Sequence, residues 1–195
     1  MTGLQKAEGR DKVVTMKYMW RYMAMGVLAI LGTGCEKPEC ECPEEQPVYF
    51  QYHYVNHAWG YQERGWLIDK QGNVRYFESP EGFRLPDSTG MISLQDLEYN
   101  LSQADSLLTT MESEELNAYI AYIPGSAAGD IGEKSQVAAD AGASVLSCYL
   151  YDEEADAYRY VFLAMSGDWE QFNLSAEAGI LVDWLIDFGV FWLSE

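Results

Sequence analysis

The chain has 195 residues, 48% of them apolar and 14% aromatic, which suits one packed domain with short appendages and argues against overall disorder. Its formal net charge of −19 argues against nucleic acid as a partner, because phosphate binding needs a basic face. Six Pro and 17 Gly are close to average usage and set aside collagen-like and Pro-rich classes.

The charges are unevenly placed. Residues 1–35 hold five of the 12 basic side chains (Lys6, Arg10, Lys12, Lys17 and Arg21) against only Glu8 and Asp11. The other 160 residues carry seven basic and 29 acidic side chains, a net of −22. After the basic start comes the apolar run Tyr22–Leu31, then Gly32-Thr33-Gly34-Cys35. Basic, apolar, small: this is the three-part pattern of a secretory signal over residues 1–34. Met16 is a better start than Met1, because it leaves a short basic n-region of ordinary length. The apolar run is about half the roughly 20 residues that a membrane-spanning helix needs.

With Cys35 directly after small residues, this stretch resembles the lipobox of bacterial lipoproteins. Leu31 stands one place earlier than the usual Leu, and Gly32 takes that Leu's place. The resemblance covers the signal alone and implies cleavage after Gly34, lipidation of Cys35 and attachment to a membrane through that lipid. In that class an Asp in the next position, more than a Glu, favours the inner membrane. Glu36 therefore points toward the outer membrane.

Residues 35–47 read as a tether. From Glu36 to Pro47 there are three Pro, five Glu and no large apolar side chain, so an extended, solvated linker is expected. Cys40 and Cys42 are too close for an easy mutual bridge, and either could pair with Cys148 or with another chain. Cys148 itself, in Ser147-Cys148-Tyr149-Leu150, reads as a small buried hydrophobe.

Residues 48–195 read as a single α+β domain: an antiparallel sheet, made of a β-meander and a hairpin, with about three helices on one face. The segments 48–55, 64–69 and 74–77 form the meander, with a turn at Lys70–Asn73 built on Gly72. Residues 79–90 are a loop. Ser93 is an N-cap with Asp96 at N3 and an Ile92–Leu97 staple. The period Leu94, Leu97, Leu101, Ala104, Leu107, Leu108 predicts a helix through 108. A second helix starts at Ser113, with Glu114 and Glu115 at its positive end, and stops at Pro124-Gly125. Residues 125–143 read as a long loop, 144–151 and 158–165 as a hairpin. Ser175 caps a last helix that turns Leu181, Val182, Leu185 and Ile186 inward and ends at Gly189. The apolar tail Val190–Leu193 needs cover, as an edge strand or under that helix.

The most distinctive hexapeptide is Asn56-His57-Ala58-Trp59-Gly60-Tyr61. His57 is a general-base or ligand candidate beside an aromatic wall, and Trp59, Tyr61 and Trp66 are candidates for stacking on a sugar or peptide. Each has a plainer reading, His57 as a turn residue with a satisfied hydrogen bond and the aromatics as core. His53 and His57 are four apart, about 13 Å along a strand, too far to share one metal ion. No Gly-x-Ser-x-Gly, phosphate-binding loop or dinucleotide fingerprint is present. The acidic turn Asp152–Asp156 lacks the spacing and Gly of a calcium loop. No metal or cofactor is therefore expected. The composite expectation is a lipid-anchored envelope protein whose acidic domain binds an envelope protein or glycan, or is structural. The alternative is a small envelope hydrolase using His57 with a carboxylate partner.

Overall fold

The computed structural model describes residues 46–187. Met16, Cys35, Cys40, Cys42, Gly189 and the segment Val190–Leu193, on which several expectations rest, lie outside the described residues.

The meander is present as β1 (Val48–Asn56), β2 (Gln62–Asp69) and β3 (Asn73–Glu78). The β2–β3 turn rests on Asp69, whose buried carboxylate accepts from Gln71 N and Asn73 N (both 2.9 Å), from Asn73 Nδ2 (3.0 Å) and from Arg75 Nε (3.0 Å). Gly72, with φ +80°, closes the turn through its N–H to Asp69 O, a conformation that costs a side-chain-bearing residue more. β4 (Met91–Ile92) is a two-residue contact with the long hairpin of β7 (Ala143–Asp152) and β8 (Ala157–Gly167). The remaining strands are β5 (Ser106–Thr110), β6 (Ser135–Gln136) and β9 (Trp169–Phe172). Every ladder is antiparallel, and the order across the sheet is β5-β3-β2-β1-β7-β8-β9-β6. The first strand is thus central, pairing with β2 on one side and with β7, about two thirds of the domain later, on the other.

Four helices are described: α1 (Leu94–Gln103), α2 (Ser113–Ile120), α3 (Ile123–Ala127) and α4 (Ala176–Asp187). Strand alternation gives the sheet two apolar faces. Phe50, Tyr52, Trp66, Ile68, Leu146 and Cys148 form one, covered by Leu116 and Ile120 of α2, Ile123 of α3, and Leu181, Trp184 and Leu185 of α4. Leu67, Phe77 and Tyr149 belong to the other, covered by Leu97 of α1 and by Ile92. The α+β class therefore holds, with three helices together on one face and α1 alone on the opposite one. The Ser93 cap is as expected: its hydroxyl accepts from Asp96 N, and Ile92 and Leu97 are buried in the same cluster. Ser175 likewise accepts from Ala178 N at the start of α4. In α4, Leu181 and Leu185 point inward as expected; Trp184 joins them, whereas Ile186 is largely exposed.

Three expectations need correction. The helical period through Leu108 is broken at Ala104, whose ψ of 77° ends α1. Residues 106–110 instead pair with the open edge of β3, leaving Leu107 exposed. An unpaired edge is a demand that helical periodicity does not register. Pro124 does not stop the chain after α2 but sits in the first turn of α3, where a missing N–H costs nothing. The tether also ends earlier than Pro47. Gln46 is 2% exposed, and its Nε2 donates to Val48 O (3.0 Å) and to Tyr149 O (2.9 Å), so Gln46 and Pro47 already belong to the folded domain.

Candidate functional site

The hexapeptide Asn56–Tyr61 forms the connection between β1 and β2. Asn56 is buried and organises it. Its Oδ1 accepts from Ala58 N (2.8 Å), and its Nδ2 donates to Tyr54 Oη (2.9 Å) and to Asp140 O (3.1 Å). The loop is thereby tied to its own strand and to the segment preceding β7. Gly60, with φ +100°, lets the chain reverse.

Tyr61 hangs from this loop and donates its hydroxyl to Glu63 Oε2. The other oxygen of the same carboxylate meets His53 Nε2 at 2.9 Å. An ionised carboxylate only accepts, so this contact draws the imidazole proton to Nε2. His53 is enclosed by aromatic rings, with Phe83 at 5.0 Å and Phe77 at 5.8 Å, while Phe77 and Phe83 stack on each other at 4.7 Å. Burial holds the imidazole pKa below its ordinary value, against the opposing pull of Glu63. The bond to Glu63 raises the Tyr61 phenol pKa above its usual value, which keeps it a donor. The chain Tyr61–Glu63–His53 therefore runs from solvent into the sheet and fixes the tyrosine ring.

The sequence candidates separate cleanly. Trp59 is 79% and Tyr61 60% exposed, and the exposed His57 ring packs on Tyr61 at 5.1 Å. His57 and Tyr61 are thus brought together, and Trp59 is exposed on the same loop between them in sequence. Trp66 is not one of them: it is 1% exposed and stacks on Tyr52 on the three-helix face. It lies five residues from Tyr61 along a strand whose odd-numbered Glu63 serves the loop, so alternation points it the other way. His57 has no hydrogen bond to a carboxylate among the described residues; the carboxylate-bonded histidine is His53. A histidine beside an acidic strand partner is a signal that the β1–β2 register supplies, through His53↔Gly65 and Val55↔Glu63, and that sequence spacing does not.

Elsewhere, the acidic turn is used internally. Asp152 accepts from Glu154 N, Ala155 N and Arg159 Nη2, and Tyr151 donates to Asp156. Cys148 is a free, fully buried thiol whose pKa is raised by desolvation. Among the described residues no three His, Cys, Asp or Glu side chains gather as a metal cluster, and no helix is long and apolar enough to cross a membrane.

These features define an antiparallel α+β domain that displays a hydrogen-bonded aromatic loop. Compared with protein-family models, with curated proteins and with solved structures, the chain finds no match.

Proposed function

We propose that this chain is a lipid-anchored envelope protein, held at Cys35, whose domain binds an envelope glycan through the rings of His57, Trp59 and Tyr61. The observation that carries the binding reading is the exposure of Trp59 on a loop that is tied on either side of it, at Ala58 by Asn56 and at Tyr61 by Glu63. A large aromatic left in water gains nothing for the fold, and fixing it in advance lowers the entropy cost of association. Flat aromatic faces stack on the C–H faces of sugars, and a chain whose net charge is −19 suits a neutral or cationic partner better than a phosphate-rich one. The anchor reading rests on the residues Leu31–Cys35 and on the outer-membrane preference that Glu36 implies.

The hydrolase alternative finds less support. The His–carboxylate pair is His53–Glu63, and its ring lies behind Phe77 and Phe83, where it serves to position Tyr61.

Two experiments test the proposal. Metabolic labelling with a radiolabelled fatty acid, followed by fractionation, should place the protein in the membrane, and Cys35→Ala should abolish both label and attachment. Normal membrane retention of that variant would overturn the anchor. Co-sedimentation with purified insoluble cell-wall glycan should retain the wild-type protein and lose Trp59→Ala. Equal sedimentation of the two, or none of either, would overturn the loop as the binding element.

A further inference from the structure

The sheet ends differently on its two sides. At one end β6 is two residues long and is preceded by Lys134, whose ammonium sits 5.0 Å from the centre of the Trp169 ring. Short edge strands and lysine are ordinary protections against unwanted strand pairing. At the other end β5 has neither. Its five residues, Ser106-Leu107-Leu108-Thr109-Thr110, contain no charge, no Pro and no Gly. Among the described residues it pairs with β3 alone, so the backbone N–H and C=O groups on its outer side meet no other strand there. Leu107 is 56% exposed, and Ser106, Thr109 and Thr110 are exposed with it. The one irregularity, a register shift between Leu107 and Thr109, leaves Leu108 packed on the three-helix core. The strand is thus seated by its inner residue and presents its edge to solvent.

The flanks of this edge are acidic. Asp105 precedes β5, and Glu112, Glu114 and Glu115 follow it across the start of α2; all four are exposed. Asp105, Glu112 and Glu114 have no ion-pair partner among the described residues, and Glu115 accepts from Trp184 Nε1. Two cations belong to the neighbouring strands. Arg75 lies across the ladder from Leu107 but is held by the Asp69 carboxylate at 3.0 Å. Lys70 stands in the β2–β3 turn, whose Gly72 carbonyl accepts from Met111 N. The balance is negative. Asp105 and Glu112 mark its two ends, separated by roughly 23 Å of extended chain. A second copy of this domain fits such an edge poorly. Antiparallel pairing of two β5 strands about Leu108 would bring Asp105 of each copy beside Glu112 of the other, and like charges across a ladder destabilise it.

We propose that the β5 edge receives an extended basic segment of another polypeptide, which adds to the sheet as a further strand and sets cations at its two ends against Asp105 and Glu112. Main-chain hydrogen bonds supply the seat, and the end charges supply the selection. The centre of the segment lies along Leu107 and Thr109, where alternating β-branched side chains fit a pleated, half-covered surface better than a run of charges.

The test uses the full chain and a fluorescein-labelled synthetic peptide made of six alternating threonines and valines with two lysines at each end. Fluorescence anisotropy should show saturable binding that weakens with added salt, and hydrogen exchange at Ser106–Thr110 should slow when the peptide is present. Methylating the backbone nitrogens of the six central residues keeps the peptide's charge but removes its donors, and should weaken binding about tenfold or more. Replacing its lysines by glutamates should abolish binding. Leu107→Lys puts a cation on the exposed edge and should weaken binding several-fold, whereas Leu174→Lys, the same change at a 67% exposed position past β9, should leave it unchanged. Equal binding of the methylated peptide would overturn the proposal, because charge attraction without strand pairing would then account for it. No binding of the lysine peptide, equal binding of the glutamate peptide, or unchanged exchange at β5 would overturn it as well. Light scattering that shows a dimer for the wild type and a monomer for Leu107→Lys would assign the edge to a second copy and overturn the basic partner. Failure of Leu107→Lys to fold leaves the decision with the methylated peptide and the exchange at β5.

Discussion

Gly65 lies directly across the β1–β2 ladder from His53, and its missing side chain is what lets the Phe77 ring lie against that histidine. A Cβ at Gly65 would stand 2.1 Å from Tyr52 O and 2.7 Å from Phe77 Cζ. The first is backbone in the central strand and cannot yield cheaply. Gly65→Ala should therefore destabilise the domain by about 2–3 kcal/mol, at the upper end for an overpacked core, measured as a fall in the urea midpoint. An unchanged midpoint would mean that the ladder relaxes freely at this point.

The His53–Glu63 pair makes stability depend on pH in a definite direction. Burial holds the folded imidazole pKa below the unfolded value, which is about 6.5. The unfolded chain then binds the extra proton first, and folding free energy falls wherever that happens. The contribution is fully present above pH ~6.5 and is lost as pH drops from there through the lowered folded pKa. His53→Gln removes the titration. Urea unfolding from pH 7.5 to 5 should show a steeper decline for the wild type than for His53→Gln, and parallel curves would show that the ring is freely solvated.

Trp59 and Asn56 should part company on substitution. Trp59→Ala removes a side chain that is almost wholly in water, so its effect on stability should stay within about 0.5 kcal/mol. Asn56→Ala leaves Ala58 N, Tyr54 Oη and Asp140 O without their partner and should cost about 1–3 kcal/mol. Both should lose glycan co-sedimentation. Thermal melts alongside the binding measurement separate a contact residue from one that holds the loop.

Gln46 and the residues before it give a sharp contrast. Removing 38–45 takes away Pro, Glu and Cys with little to bury and should leave the melting temperature unchanged. Gln46→Ala deletes the link between Val48 O and Tyr149 O and should cost about 1–3 kcal/mol, the range for unsatisfied buried carbonyls. Loss of stability from the deletion alone would show that the tether docks on the domain.

Cys148 offers a redox check. Complete burial, which raises its pKa, leaves no thiolate to react. In a chain carrying Cys35→Ser, Cys40→Ser and Cys42→Ser, iodoacetamide should label Cys148 only in denaturant. Rapid labelling of the native protein would show that β7 opens locally.

The sequence by itself determined the features that depend on neighbours a few residues away. Ser93 and Ser175 are caps because a hydroxyl needs only the N–H three residues on. The turn at Lys70–Asn73 is written in four consecutive residues, and the strand alternation of 48–55 is a local period. The loop His57–Tyr61 was legible for the same reason, as an aromatic cluster beside a glycine. What the tertiary structure alone decided are the choices made across long separations. Phe50 finds Cys148 and His53 finds Val145 in the next ladder, pairings no local period contains. Residues 106–110 abandon a good helical pattern because β3 has an open edge to satisfy. Trp66 leaves the aromatic cluster for the core because a strand sends neighbouring side chains to opposite faces, and only the placement of three helices decides which face is dry. Glu63 joins Tyr61 to His53 because the β1–β2 register sets them side by side. Periodicity states that a residue is to be buried; the partner that buries it is chosen only when distant segments compete for the same edge and the same face.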